Sequence, residues 1–169
     1  MKPISVDELF KLAGIVPSAS GTKPWGEDIP CEVAGVYVIT VDDLETVKFE
    51  DLSLEQEHAR LRRRWEDDRQ LWQPDQNIVY IGCTSPKVGL KKRLHQFYKH
   101  VYGDPAKHRG GQAIKLLVCA KTIHWAAVED YEGAEHNLVE AFEERAKRLP
   151  YGNKRRARRA KRGGGKRQS

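Results

Sequence analysis

The chain has 169 residues, enough for one domain of ordinary size and too few for two comfortable ones. With 39% apolar and 32% charged residues it can bury one core of moderate size beneath a heavily solvated surface. No apolar run approaches the roughly 18–20 residues of a spanning helix, and MKPISVDELF has acids where a signal peptide needs an apolar stretch; no membrane partner and a cytoplasmic location are the expectations. Cys31, Cys83 and Cys119 are odd in number, widely separated and never in a C-x-x-C pair, so they read as small core hydrophobes, not a disulfide framework or a zinc site.

The net charge of +6 is unevenly spread. The last 16 residues, KRRARRAKRGGGKRQS, hold nine Lys or Arg and no acid, leaving 21 bases against 24 acids in residues 1–153, a net of −3. So dense a block of one sign cannot pack on itself, and residues 154–169 are expected to be a disordered basic tail whose natural partner is a nucleic acid backbone. Arg155, Arg156, Arg158 and Arg159 are its first candidate phosphate contacts.

In chain order, Ser5 and Glu8 form a capping box, apolar residues follow and Gly14 stands at a helix C-terminus, which predicts a helix over 6–13. Residues 16–30 contain three prolines and two glycines and read as a loop; together, 1–30 form an N-terminal helix and strap. The runs AGVYVITV (34–41) and NIVYIGCT (77–84) read as strands. Between them lies a helical insertion, about 42–76. It carries a capping box at Ser53 and Gln56, a stripe of Leu54, Leu61, Trp65 and Trp72, and i,i+4 pairs from Arg62, Arg63 and Arg64 to Glu66, Asp67 and Asp68. Its charges read as a solvated face, with the arginine triplet also able to touch phosphate.

A second helix is predicted over 88–102, its core face being Leu90, Leu94, Phe97 and Val101. Arg93 falls at the border of that face, where it either snorkels to solvent or reaches into a cleft. His100 lies on the same border, and Lys91 on the polar side. His108-Arg109-Gly110-Gly111-Gln112 reads either as a turn or as a loop whose paired glycines approach a phosphate. Residues 116–128 suggest a third strand, bent or bulged, and 131–148 a last helix. There Glu135 projects within the apolar arc, so it either caps the first turn or meets a cation, a metal or strong hydrogen bonds.

Gly35-Val36-Tyr37 and Tyr80-Ile81-Gly82 then fall in order on the first two strands. Period-2 alternation places Tyr37 with Gly35 and Ile39, and Tyr80 with Ile78 and Gly82. With the LKKRL helix containing Arg93, the E-x-x-L-V pattern at Glu135 and LPYGN ending at Asn153, the chain resembles the GIY-YIG nuclease family over about 120 residues. The resemblance implies an α/β fold of the α+β kind within 31–153: a small, mainly antiparallel three-stranded sheet flanked by helices, with the insertion between strands 1 and 2.

The resemblance also implies a DNA endonuclease, with RNA as a possible partner. Tyr37 or Tyr80 would act as general base or position the water, and Arg93 would clamp the phosphate. Glu135 would hold one divalent ion, Mg²⁺ or Mn²⁺, and Asn153 would anchor the site by hydrogen bonds. Two positions depart from the pattern. Cys83 stands where many relatives place a lysine, with Lys87 and Lys91 as substitutes. Phe97 stands where many place His or Tyr, with His100 and His108 as replacements. The alternative reading is a nucleic-acid-binding module that retains the fold without turnover, and the oligomeric state is left open.

Overall fold

The Ser5 hydroxyl accepts the Glu8 amide at 3.2 Å and opens α1 (Val6–Leu12). That helix closes where Gly14 takes φ +67° and Ile15 N donates to Phe10 O at 3.0 Å, a turn an L side chain resists. The structure, a computed structural model, describes residues 2–104 and 111–155. After α1 come β1 (Ala19–Pro24), β2 (Gly35–Val41), a two-residue β3 (Lys48–Phe49), α2 (Ala59–Gln70), β4 (Ile78–Thr84), α3 (Leu90–Lys99), a two-residue β5 (Leu117–Val118), β6 (Lys121–Ala127) and α4 (Tyr131–Ala146). Strands β1-β6-β2-β4 form one antiparallel sheet in that order, and β3 pairs with β5 in a small second sheet.

The fold is thus mixed α+β, with four α-helices among the described residues, and its main sheet has four strands where three were expected. The added strand is β1, in the segment read as a loop. Its sequence, ASGTKP, lacks apolar alternation because its side chains are exposed or only half-buried, and Pro24 is tolerated at the end of an edge strand. Along β1, Gly21 leaves space for the Trp125 indole, which a Cβ would meet at 3.0 Å.

Both faces of the sheet are covered, which is why all seven residues of β2 are buried. One face carries Tyr37, Ile39 and Tyr80 against Leu90, Leu94 and Phe97 of α3; the other carries Val36, Val38, Ile78 and Ile81 against Leu9 of α1 and Leu138 and Phe142 of α4. Between β2 and β4 the register runs Tyr37↔Gly82, Ile39↔Tyr80 and then Thr40↔Ile78, so Val79 is an extra residue. This bulge corrects one expectation: Tyr80 and Gly82 face Tyr37, but Ile78 turns to the opposite layer.

The insertion also differs in detail. Ser53 makes no capping bond; the helix begins later, where His58 Nδ1 accepts the Leu61 amide at 3.2 Å, and Leu54 is 94% exposed instead of joining the apolar stripe. Leu61 and Trp65 are buried on a satellite core with Leu52, Tyr102 and Leu116. Most charges of α2 are exposed as expected, Arg63, Glu66, Asp67 and Arg69 among them, but Arg62 and Arg64 are half-buried and Asp68 is buried. Arg62 and Arg69 both lie over the Trp65 ring, at 4.7 and 4.4 Å from its centre, and Arg64 lies over Tyr102 at 5.3 Å. Arg62 pairs with Glu57 and Asp51. Of the three pairs expected along α2, Arg64–Asp68 forms at 3.7 Å.

Candidate functional site

Tyr37 lies at the centre of β2 with its side chain wholly buried, and directly across the ladder is Gly82. A Cβ at Gly82 would stand 2.6 Å from Tyr37 Cζ, 2.7 Å from the Tyr37 hydroxyl oxygen and 2.8 Å from Tyr80 Cε1. The missing side chain is therefore the space through which the Tyr37 phenol reaches β4. The two tyrosine rings are 6.0 Å apart, and Phe97 stacks on Tyr80 at 5.7 Å and 22°. The Arg93 guanidinium approaches the Tyr37 hydroxyl, but among the described residues no group meets that buried oxygen in good hydrogen-bond geometry.

The charged residues gather round this pair. Arg93, half-buried on α3, favours the ionised form of Tyr37, but burial outweighs it and pushes the Tyr37 phenol above its usual range. Tyr80 is raised further, by burial first and then by Tyr37 and Glu135. Glu135, half-buried on the first turns of α4, accepts the Cys83 thiol at 3.3 Å. Burial raises the Glu135 carboxyl, while the Cys83 hydrogen bond and the Arg93 charge oppose the rise. Cys83 in turn is held as a thiol by burial and by Glu135. Tyr37, Tyr80, Cys83, Arg93 and Glu135 thus lie within electrostatic reach of one another, straddling the edge strand β4: both tyrosines face α3, and Cys83 packs on the α4 side.

Asn153 closes the free side of that strand. Its carboxamide oxygen accepts Ile81 N at 2.9 Å and its nitrogen donates to Ile81 O at 2.8 Å, so one side chain replaces a neighbouring strand between Tyr80 and Gly82. Gly152 N donates to Val79 O at 2.7 Å and continues the seam. Lys154 then bonds Asp68 of α2 at 2.5 Å, and Asp68, 1% exposed, also accepts Tyr102 Oη at 2.8 Å. By sequence Asp68 is only an i,i+4 partner, because nothing in the spacing of α2 shows that this turn is covered by Tyr102 and Lys154.

The other expected contacts are scattered. Lys91 is exposed, 3.9 Å from Glu32, and His100 is half-buried at the C-terminal boundary of α3. Arg155 is exposed at the end of the described residues, and Lys87 is exposed ahead of α3. His108, Arg109, Arg156, Arg158 and Arg159, like most of the basic tail, lie outside the described residues. Cys31 is buried as expected of a core hydrophobe, whereas Cys83 and Cys119 are half-buried and Cys83 is bonded to a carboxylate.

Among the described residues no group of three or more His, Cys, Asp or Glu is placed to share an ion. A caged metal is not what these residues fit. Mg²⁺ keeps several waters and takes one or two carboxylates, and the single half-buried Glu135 carboxylate is compatible with such a water-rich ion. No helix among the described residues is long and apolar enough to cross a membrane. No protein-family model, curated protein or solved structure matches this chain.

Proposed function

We propose that this protein is a metal-dependent DNA endonuclease of the GIY-YIG type. The observation that carries the reading is that Tyr37 and Tyr80 meet at Gly82 within electrostatic reach of Arg93 and Glu135, with Asn153 bonded to the intervening Ile81. The mixed α+β fold, with an antiparallel sheet flanked by helices, is compatible with that reading.

Arg93 offers planar donors and a permanent charge to the scissile phosphate, and its half-buried position lowers the dielectric screening of that contact. The Tyr37 phenol keeps its proton at neutral pH, so its hydroxyl orients the attacking water, and Arg93 lowers the cost of passing the proton on. Glu135 would hold Mg²⁺ or Mn²⁺, which when bound supplies charge stabilisation to the phosphorus oxygens and the leaving oxygen. Asn153 fixes the backbone that carries Tyr80 and Gly82.

A second reading, a DNA- or RNA-binding module without turnover, is favoured by one feature: Phe97, an apolar ring, occupies the face of Tyr80 and leaves it no polar neighbour there. Conversion of supercoiled plasmid to nicked or linear forms separates the two. Cleavage abolished by EDTA and by Glu135→Ala supports the nuclease. A salt-sensitive gel shift that survives chelation, with no cleavage of duplex, branched or RNA substrates, supports the module.

A further inference from the structure

Asn153 reaches the free side of β4 from a short turn that cannot place it unaided. Its own amide donates to Pro150 O at 2.9 Å, which fixes the shape of the turn but not where the turn sits. Gly152 N on Val79 O and Gly111 N on Gly152 O, at 2.7 and 3.2 Å, tie the turn to β4 and to the chain before β5. Four further ties come from one place, the end of α2 and the residues that follow it. Asp68 accepts Lys154 Nζ at 2.5 Å, the Trp72 ring meets Tyr151 edge-on at 5.3 Å and 86°, Gln73 Nε2 donates to Leu149 O at 2.8 Å, and Asp75 pairs with Arg148. Rising from Asp68 to Asp75, the partners descend from Lys154 to Arg148, so the two segments run antiparallel, contact by contact. The Asp75–Arg148 pair is exposed and adds little. Asp68, Gln73 and Tyr151 are buried, so water does not readily replace what they lose when the contact opens.

We propose that residues 68–75 of the insertion are a brace that positions Asn153 on β4, with Asp68 and Gln73 as its positioning residues. The insertion acts on the site through the residues on either side of Asn153, Leu149 and Tyr151 before it and Lys154 after it. Asn153 makes both of its hydrogen bonds to one residue, Ile81, and a displacement of about 0.5 Å is enough to weaken the two together. Ile81 separates Tyr80 from Gly82, so the error passes directly to the tyrosine pair. The brace stands on these contacts alone, whereas its effect on cleavage rests on the nuclease reading.

Amide hydrogen exchange of the full-length chain, with no nucleic acid present, tests the brace, because the Ile81 amide donates to Asn153 Oδ1. Asp68→Asn, whose amide oxygen still accepts the Tyr102 hydroxyl, and Gln73→Ala should each speed exchange at Ile81 by about tenfold or more, while amides of the β2–β6 ladder keep their rates. In an Asn153→Ala background neither substitution should speed it further. A rate at Ile81 that stays unchanged, that rises only with the rest of the sheet, or that rises as much without the Asn153 side chain would each overturn the proposal. In a chain that cleaves plasmid, both variants should lower kcat by about tenfold with KM unchanged; a change in KM alone would mean that the insertion contacts substrate instead. A chain that shows the exchange pattern but cleaves nothing refutes the nuclease reading and leaves the brace standing.

Discussion

Gly82 sets the geometry of the tyrosine pair by what it lacks. Alanine there would place a methyl group 2.6–2.8 Å from atoms of both rings, with Tyr37 fully buried and Tyr80 pinned by Phe97. Gly82→Ala should destabilise the fold by about 1–3 kcal/mol, measured as a lower urea midpoint at unchanged m, and should lower any cleavage with it. Glu135 makes a pH-dependent prediction. Its folded carboxyl titrates above the ordinary 4.5, so over that window the native state holds more protons than the unfolded chain and stability falls as pH rises. At neutral pH the charged form is therefore a burden. Glu135→Gln, which still accepts the Cys83 thiol, should raise Tm at pH 7–8, with the gain shrinking toward pH 4. A constant difference across that range would contradict the assignment.

At the level of elements, β4 is held by unlike neighbours: the β2 ladder on one side and the Asn153 side chain on the other. Asn153→Ala removes both Ile81 hydrogen bonds and should cost about 1–3 kcal/mol, at roughly 0.5–1.5 kcal/mol each. Hydrogen exchange of the Ile81 amide should report the loss more sharply than global unfolding does. The next residue joins this seam to the insertion. Lys154→Ala would leave the Asp68 carboxylate, 1% exposed, with Arg64 and Tyr102 alone, whereas Asp68→Asn leaves cations that can turn to water. The double variant should therefore be more stable than the sum of the single losses allows, a non-additivity of about 1 kcal/mol or more in a double-mutant cycle.

Across the whole molecule, charge is divided between an acidic body and a basic C-terminal segment. Residues 1–153 carry a net of −3, while the last 16 residues supply nine cations. The body by itself does not attract a polyanion over long range, so affinity for nucleic acid should depend on the segment beginning at Lys154. Truncation after Arg155 removes seven Lys or Arg. If the reading of a nucleic-acid partner is right, log K against log salt should become shallower by up to about six, at about 0.9 for each phosphate no longer neutralised. An unchanged slope would mean that the body binds by itself.

The sequence by itself determined the elements whose signals are local. Ser5 and Glu8 announce α1 through a bond made within one turn. The β-branched runs of β2 and β4 and the amphipathic α3 and α4 follow from which residues must leave water. The order of Gly35, Tyr37, Tyr80, Arg93, Glu135 and Asn153 along those elements was legible for the same reason. What depended on partners distant in sequence was not. β1 exists because β6 offers it a ladder, and its own residues carry no periodicity. The bulge at Val79 shows only when β4 is laid against β2, and it decides that Ile78 and Tyr80 part company. Leu54 fits the helical stripe in sequence, yet no surface covers it; Asp68 looks solvated, yet Tyr102 and Lys154 close over it. Cys83 reads as a small apolar residue until α4 brings Glu135 within 3.3 Å. Periodicity tells which side of an element is dry, but only the packing of one element on another tells which polar group it meets there.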